Sequence, residues 1–243
     1  MSPEPTARRD GRDAVGQEGP SHWGPRWSRW VGHFLAYGVW DTRVTGIANV
    51  PATGPVLFAA NHTAAIDGPI LVGVTPRPAH LLVKAASFTG ATGALLRAAG
   101  QIPVEPDGGR GALVSALGVL RRGGVVGVFP EGTRGRGDAT SAQAGVAWLA
   151  LNAPACVVPV AMLGTRRTGD GVARVPGLGR CMVVEFGRPL VLGRVPGTSG
   201  RAALEAANEA IRVALSALVA SASARSGLRL PTDDPLREGD GSV

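Results

Sequence analysis

Lysine is almost missing from this chain: among its 25 basic residues only Lys84 is a lysine, and the others are arginines. Cysteine is scarce as well. Cys156 and Cys181 are the only two, and both lie in apolar runs (ACVVPVAM and CMVVEF). They read as small buried hydrophobes in a reducing compartment, and a disulfide framework is not expected. No stretch reaches the roughly 18 apolar residues that a transmembrane helix needs. The opening segment MSPEPTARRDGRDAVGQEGP mixes both charge signs with Pro and Gly and has no apolar h-region. It is expected to be a loose tail and not a signal peptide.

What remains is a globular composition. At 243 residues, 44% hydrophobic and 18% charged, with 36 glycines, the chain suits one substantial domain rich in tight turns. A formal charge of +7 fits partners that carry phosphate, whether nucleic acid, anionic lipid or a phosphorylated cofactor. Arginine richness follows equally from genomic base composition, so charge alone does not choose among these.

The segment HWGPRWSRWVGHFLAYGVW, residues 22–40, holds four of the five tryptophans together with Tyr37, Arg26 and Arg29. Aromatic rings and guanidinium groups flanking a short apolar stretch are what a helix lying in a lipid interface uses. The competing reading is a helix packed on the domain by its aromatic face.

From Val44 onward, strands alternate with helical stretches. Short apolar runs bounded by Gly, Pro or Asn predict strands at Val56–Ala60, Leu81–Lys84, Val125–Phe129, Val157–Met162 and Met182–Phe186. Helices are predicted at Pro69–Val74, Thr89–Ala99, Arg110–Arg121, Ser141–Asn152 and about Gly200–Ala222, the last with Leu204, Ile211, Leu215 and Leu218 on one face. This alternation predicts an α/β domain, a sheet with helices packed over it. Pro, Asp and Gly return after Arg225, which predicts a loose C-terminal tail. The expected organisation is a tail over 1–21, an interface helix over 22–43, a catalytic domain over 44–222 and a second tail over 223–243.

Two polar clusters interrupt the apolar texture, each just after a predicted strand, where α/β proteins place their sites. The first is NHTAAIDGP, residues 61–69. On a straight helix, side chains five residues apart point roughly 140° apart, so His62 and Asp67 meet only if the chain between them turns. Asp-Gly-Pro favours a turn followed by a helix start. An Asp67 carboxylate that accepts the Nδ1 proton of His62 makes Nε2 a base for a substrate hydroxyl. The alternative is an ordinary helix cap beside a satisfied strand-end histidine. The second cluster is FPEGTRGRG, residues 129–137. Its glycines let backbone approach an anion, Arg134 or Arg136 can grip phosphate, and Glu131 can hold an arginine fork or accept from a substrate hydroxyl. A glycine-rich surface turn with solvated charges is the plainer reading.

Taken together, NHTAAID in the Asn-His-x4-Asp form, followed about 65 residues later by FPEGTR, resembles the 1-acyl-glycerol-3-phosphate acyltransferase family. Val44–Ile47 with Val50-Pro51 and Gly54-Pro55 look like that family's lead-in strand and turn. Val158–Ala161 looks like its fourth block, and Gly100–Pro106 like its second. One departure stands out: the second block usually continues into an arginine that binds the acceptor phosphate, and Pro106 stands there. Arg110 and Lys84 are candidates to supply that charge.

The resemblance implies a mixed, mostly parallel, glycerol-3-phosphate acyltransferase-like sheet and an O-acyltransferase of phospholipid biosynthesis. It implies direct transfer of a fatty acyl group from acyl-CoA or acyl carrier protein to the free hydroxyl of a lysophospholipid acceptor, 1-acyl-glycerol 3-phosphate, giving phosphatidic acid. His62 and Asp67 would be catalytic; Glu131, Gly132, Thr133 and Arg134, with Lys84 and Arg110, would bind substrate. No cofactor, metal or nucleic acid is implied, and the expected location is the cytoplasmic face of the cell membrane, held peripherally. Another acceptor (glycerol 3-phosphate, a lysophospholipid or a glycolipid) stays open because of Pro106. A membrane-binding protein without catalysis is the alternative from another class. A metal-dependent hydrolase would need a third ligand beside His62 and Asp67, and His22, His33 and His80 stand outside any ligand-spaced motif.

Overall fold

A computed structural model describes residues 20–21, 23–106, 109–131, 136–139 and 144–234. The tail expected over 1–21 therefore lies almost wholly outside the described residues, as do His22, Gly132, Thr133 and Arg134. So does the start of the helix expected at Ser141.

Seven strands form one sheet: β1 (Asp41–Thr45), β2 (Val56–Ala60), β3 (Ala79–Lys84), β4 (Ile102–Val104), β5 (Val125–Val128), β6 (Cys156–Leu163) and β7 (Cys181–Phe186). Their order is β1-β7-β6-β2-β5-β3-β4. Strands β6, β2, β5, β3 and β4 run parallel, while β7 is antiparallel to β6 and carries β1 parallel to itself. The sheet is thus mixed and mostly parallel, as the family resemblance implies. Two strands went unseen as ladder members. β1 lies partly inside the segment assigned to the interface helix, so the boundary expected at 43/44 is corrected to about Asp41, and polar Asp41, Thr42 and Arg43 hide it from apolar periodicity. β4 is three residues long with a proline at its centre, which an edge position tolerates.

Both sheet faces are covered, which is why the central strands read as continuous apolar runs. In β2, Val56, Phe58 and Ala60 point to one core and Leu57 and Ala59 to the other. Helix α2 (Asp67–Val74) fills the first face with Ile70, Leu71, Val72 and Val74. Helices α4 (Arg110–Arg121), α5 (Ala144–Asn152) and α6 (Gly200–Ser226) cover the second, and α3 (Gly90–Ala98) precedes β4. Helix α6 outruns its expected end at Ala222 and closes at Ser226 on Gly227, whose φ of 72° is the left-handed cap geometry. The segment after it, expected as a tail from 223, instead turns back. Leu228 and Leu230 pack on the α6 core, and the buried Arg166 guanidinium pairs with Asp233 at 3.0 Å. A buried arginine requires an anion, and this one comes from 67 residues away, which local composition cannot reveal.

Helix α1 (Gly24–Phe34) and the π-helical turn after it, Leu35–Val39, lie over α2. The inward face is built from Gly24, Pro25, Gly32 and Ala36, and the aromatic residues point out. Gly32 and Gly73 let the two backbones touch: a Cβ on Gly73 would stand 2.1 Å from the Gly32 carbonyl carbon, and one on Gly32 would stand 2.5 Å from the Pro69 oxygen. The reading in which α1 packs by its aromatic face is therefore replaced by its opposite.

Alanine at Gly73 is expected to force α1 off α2 and to cost roughly 1–3 kcal/mol, as overpacking does. A urea midpoint unchanged from wild type would contradict this contact.

Candidate active site

Strand β2 ends at Ala60, and Asn61 continues its ladder by other means. Its side-chain amide donates to the Met162 carbonyl (3.0 Å) and accepts the Met162 N–H (2.7 Å). A carboxamide carries the same donor and acceptor pair as a peptide group, so β6 stays satisfied while the main chain turns away. That turn runs through Ala64–Ile66 and delivers Asp67 to the first position of α2.

Asp67 is fully buried, and its Oδ2 accepts three hydrogen bonds: from His62 Nδ1 (2.8 Å), Thr63 N (2.7 Å) and Ala64 N (2.8 Å). Its Oδ1 is buried with no hydrogen bond among the described residues. The negative charge is therefore stabilised at the oxygen that faces the imidazole, and the helix N-terminus behind it favours the same sign. A carboxylate only accepts, so Nδ1 holds the proton and Nε2 is the basic nitrogen. The His62 side chain keeps 13% of its surface exposed. Its ring stacks on Phe129 at 4.1 Å between centroids, 18° from parallel.

Because β5 neighbours β2 in parallel, the end of β5 brings the second cluster to the same place. Glu131 is largely buried, and its carboxylate receives the backbone N–H groups of His62 and Ala139. Burial pushes its pKa up to about 8, and the charges of Asp138 and Asp67 raise it further, against those two hydrogen bonds. Burial thus favours the protonated carboxyl of Glu131 behind His62. Ala139 takes a φ of 54°, which costs a non-glycine residue on the order of 1 kcal/mol. Gly137, at φ 71°, lies so near the first cluster that a Cβ would meet the Thr63 methyl at 2.4 Å.

The structure therefore brings His62, Asp67 and Glu131 together, with Glu131 turned onto the site's own backbone. Gly132, Thr133 and Arg134 are outside the described residues, between Glu131 and Arg136. Lys84 and Arg110 share the C-terminal side of the sheet but not the immediate site. Lys84 ends β3, two strands from β2 and so about 10 Å across the sheet. Both side chains are exposed and pair with no described acid. An open cleft of ≈ 500 Å³ follows β3 in the chain, lined by Ala85, Ala86, Phe88, Arg97, Pro103, Glu105 and Pro106, with neither Lys84 nor Arg110 in its wall. Arg97, from α3, brings a guanidinium to that wall and donates to the Phe88 carbonyl (3.0 Å). Sequence reading missed Arg97, because only the fold sets it opposite Pro106. It missed Phe129 as the plate under the imidazole, although that residue opens the FPEGTR cluster. It also missed Thr165, whose hydroxyl meets that of Thr63 at 2.9 Å.

Residues 41–163 match the protein family described as Acyltransferase. The 1-acyl-sn-glycerol-3-phosphate acyltransferase of Borreliella burgdorferi is 33% identical over 127 residues, 50% of this chain and 51% of that protein. The protein of the same name from Bacillus subtilis is 29% identical over 119 residues, 48% of this chain and 59% of that one. The chain thus spans only about half the length of these curated relatives in alignment. The crystal structure of the 1-acyl-sn-glycerophosphate (LPA) acyltransferase PlsC from Thermotoga maritima superposes with a TM-score of 0.58 at 20% identity. That likeness covers 80% of this chain and 79% of the other, and bears on the fold.

The raised pKa of Glu131 gives a stability prediction with a definite sign. An acid whose folded pKa (about 8) exceeds its ordinary value (4.5) holds its proton longer when folded. Its contribution is complete below the lower value and is lost as pH climbs through the higher one. Urea unfolding across that window should show wild-type stability declining by a few kcal/mol and a much flatter profile for Glu131→Gln. Parallel profiles would mean that Glu131 is ionised in the folded chain at neutral pH.

Proposed function

The chain belongs to the Acyltransferase family, and we propose that it moves a fatty acyl group from an acyl thioester to the free hydroxyl of 1-acyl-glycerol 3-phosphate. The product is phosphatidic acid, and the setting is phospholipid biosynthesis. The donor is acyl-CoA or acyl carrier protein, with no further cofactor. The observation that carries this reading is the buried Asp67 oxygen 2.8 Å from His62 Nδ1, together with the names of the curated relatives.

In the reaction, His62 Nε2 removes the proton from the acceptor hydroxyl as its oxygen attacks the thioester carbonyl carbon. Asp67 fixes the tautomer and stabilises the imidazolium that forms. The tetrahedral intermediate then collapses, the C–S bond breaks, and the thiolate leaves with the proton returned from His62. No enzyme nucleophile is needed. Cys156 begins β6 beside Val56, at the opposite end of these parallel strands from His62. Arg134, with Gly132 and Thr133, holds the acceptor phosphate, and Glu131 keeps the backbone of His62 in place. Arg97 lines the neighbouring cleft, and Lys84 and Arg110 are exposed on the same C-terminal side of the sheet, where all three extend the positive field felt by a phosphorylated substrate. Since Pro106 stands where the family places an arginine, a different acceptor, such as glycerol 3-phosphate, another lysophospholipid or a glycolipid, is the second reading.

The substrates are lipids, and among the described residues no helix is long and apolar enough to cross a membrane. Helix α1 supplies a lateral contact: Trp23, Trp27, Trp30, Phe34 and Tyr37, spaced for one helix face, are all exposed, Trp30 by 70% and Phe34 by 65%. Arg26 stacks over Trp23 at 5.1 Å, and no acidic residue occurs between Ser21 and Trp40. We take this face to lie in the lipid surface on the cytoplasmic side.

The test is to incubate the purified chain with acyl-CoA and a panel of lysolipids, with and without phosphate, and to identify the product by mass. Phosphatidic acid formed by wild type, with a fall of at least ~10²–10⁴-fold for folded His62→Ala, is the expected result. Wild-type-like turnover of that variant would remove His62 from the mechanism. Arg134→Ala should chiefly raise KM for the phosphorylated acceptor, as loss of ground-state binding does. An unchanged KM would move the phosphate site elsewhere.

A further inference from the structure

The connection from β6 to β7, residues 164–180, has no part in the reading of the motifs, yet it carries the most exposed apolar side chains beside α1. Leu178 is 86% exposed and Val175 67%. Either one alone would be unremarkable on a protein surface. Their position gives them meaning. The loop is stitched to the end of the α1 run: Gly179 N–H donates to Val39 O (2.8 Å), Asp41 N–H to Arg180 O (3.0 Å), and buried Trp40 Nε1 to Pro176 O (3.2 Å). Val175 and Leu178 thus stand on a loop hydrogen-bonded to the residues that directly follow the aromatic stripe. Charge points the same way. Arg167, Arg174 and Arg180 border this tip; Asp170 pairs with Arg174 at 3.1 Å and lies 3.9 Å from Arg180, Asp233 accepts the Gly169 N–H at the root, and no acid occurs from Gly171 to Cys181.

We propose that residues 172–179 are a second lipid-contact element, which seats Val175 and Leu178 in an anionic bilayer surface beside α1 and sets the catalytic turn against that surface. Apolar tips rimmed by arginine suit an acyl boundary under anionic headgroups. The other limb of the loop reaches the chemistry directly. Val172 O accepts the Ala65 N–H at 2.8 Å, and Thr165 meets Thr63 through their hydroxyls. Ala65 lies within the turn that joins His62 to Asp67. A loop seated in lipid therefore fixes how far the base stands from the bilayer, from which an acyl-glycerol acceptor has to rise. The proposal rests on the membrane reading of α1 given above.

Flotation of the full chain with vesicles of phosphatidylcholine and phosphatidylglycerol in equal parts, and with pure phosphatidylcholine, provides the test. Three proteins are compared: wild type, the α1 variant Trp30→Ala with Phe34→Ala, and the loop variant Val175→Asp with Leu178→Asp, each checked for an unchanged melting temperature. Because both loop residues are exposed, Val175→Ser with Leu178→Ser serves as a milder companion. Wild type should float with the anionic vesicles, less with the neutral ones, and lose binding as salt rises. The loop variant should partition about tenfold less, while keeping wild-type turnover on a water-soluble short-chain thioester and acceptor. Wild-type partitioning by the loop variant, with the α1 variant impaired, would overturn this proposal and leave the membrane reading of α1 standing. Failure of wild type to bind any vesicle would overturn both. An unchanged partition with a raised KM for acyl carrier protein alone would also overturn it, in favour of a protein partner at this loop.

Discussion

One carboxylate oxygen, Asp67 Oδ2, accepts three N–H groups, and the rest of the site is arranged around that convergence. Two of the donors are the main-chain N–H groups of Thr63 and Ala64, so the five-residue separation between His62 and Asp67 is closed by a turn wound onto the acid itself. The third donor is the imidazole. A buried charge survives without a cation when main-chain dipoles surround it, and here they also lock the ring. Asn61 makes the arrangement possible one residue earlier, by giving β6 the ladder partner that β2 ceases to supply.

The parallel pairing of β2 with β5 then decides what faces that turn. Phe129 leaves β5 to lie under the His62 ring, and Glu131 receives the His62 backbone N–H. Gly137 and Ala139 bring the chain back against Thr63. Ala139 holds a left-handed conformation that glycine would adopt more readily, and its N–H is aimed at the Glu131 carboxyl. Strain retained at such a place is consistent with a geometry selected for more than stability. Burial of Glu131 favours its protonated form, whereas Asp67 Oδ2 is the carboxylate oxygen that meets His62 Nδ1.

Around this centre the molecule has an unusual exterior. Helix α1 hides its glycines and displays its tryptophans, because the backbone contact between Gly32 and Gly73 leaves no room for rings on the inner face. The β6–β7 loop is hydrogen-bonded to the end of the α1 run and, through Val172, to the turn between His62 and Asp67. The proposed lipid-contact surface and the His62–Asp67 turn are thus joined by a few main-chain hydrogen bonds. The ion pair between Arg166 and Asp233 secures the root of that loop with the segment that follows α6.

Much of this was legible in the sequence. Buried parallel strands announce themselves as apolar runs, so β2, β5, β6 and β7 were found with nearly their observed ends. Asn-His-x4-Asp and FPEGTR each stand directly after such a strand, which is enough to name His62, Asp67 and Glu131. Polar β1 and three-residue β4 carry no periodicity to detect, and Asp233 gives no local hint of its partner. Whether α1 turned its rings in or out was likewise undecided, because composition is the same either way. Tertiary structure alone settled what depends on distance across the sheet: the direction of the Glu131 carboxyl, the stacking of Phe129, the placing of Arg97 opposite Pro106, and the separation of Lys84 from the imidazole. Local patterns record which residues are present and how a segment bends, whereas the field and geometry around His62 come from strands far apart in the chain that meet only when the sheet is assembled.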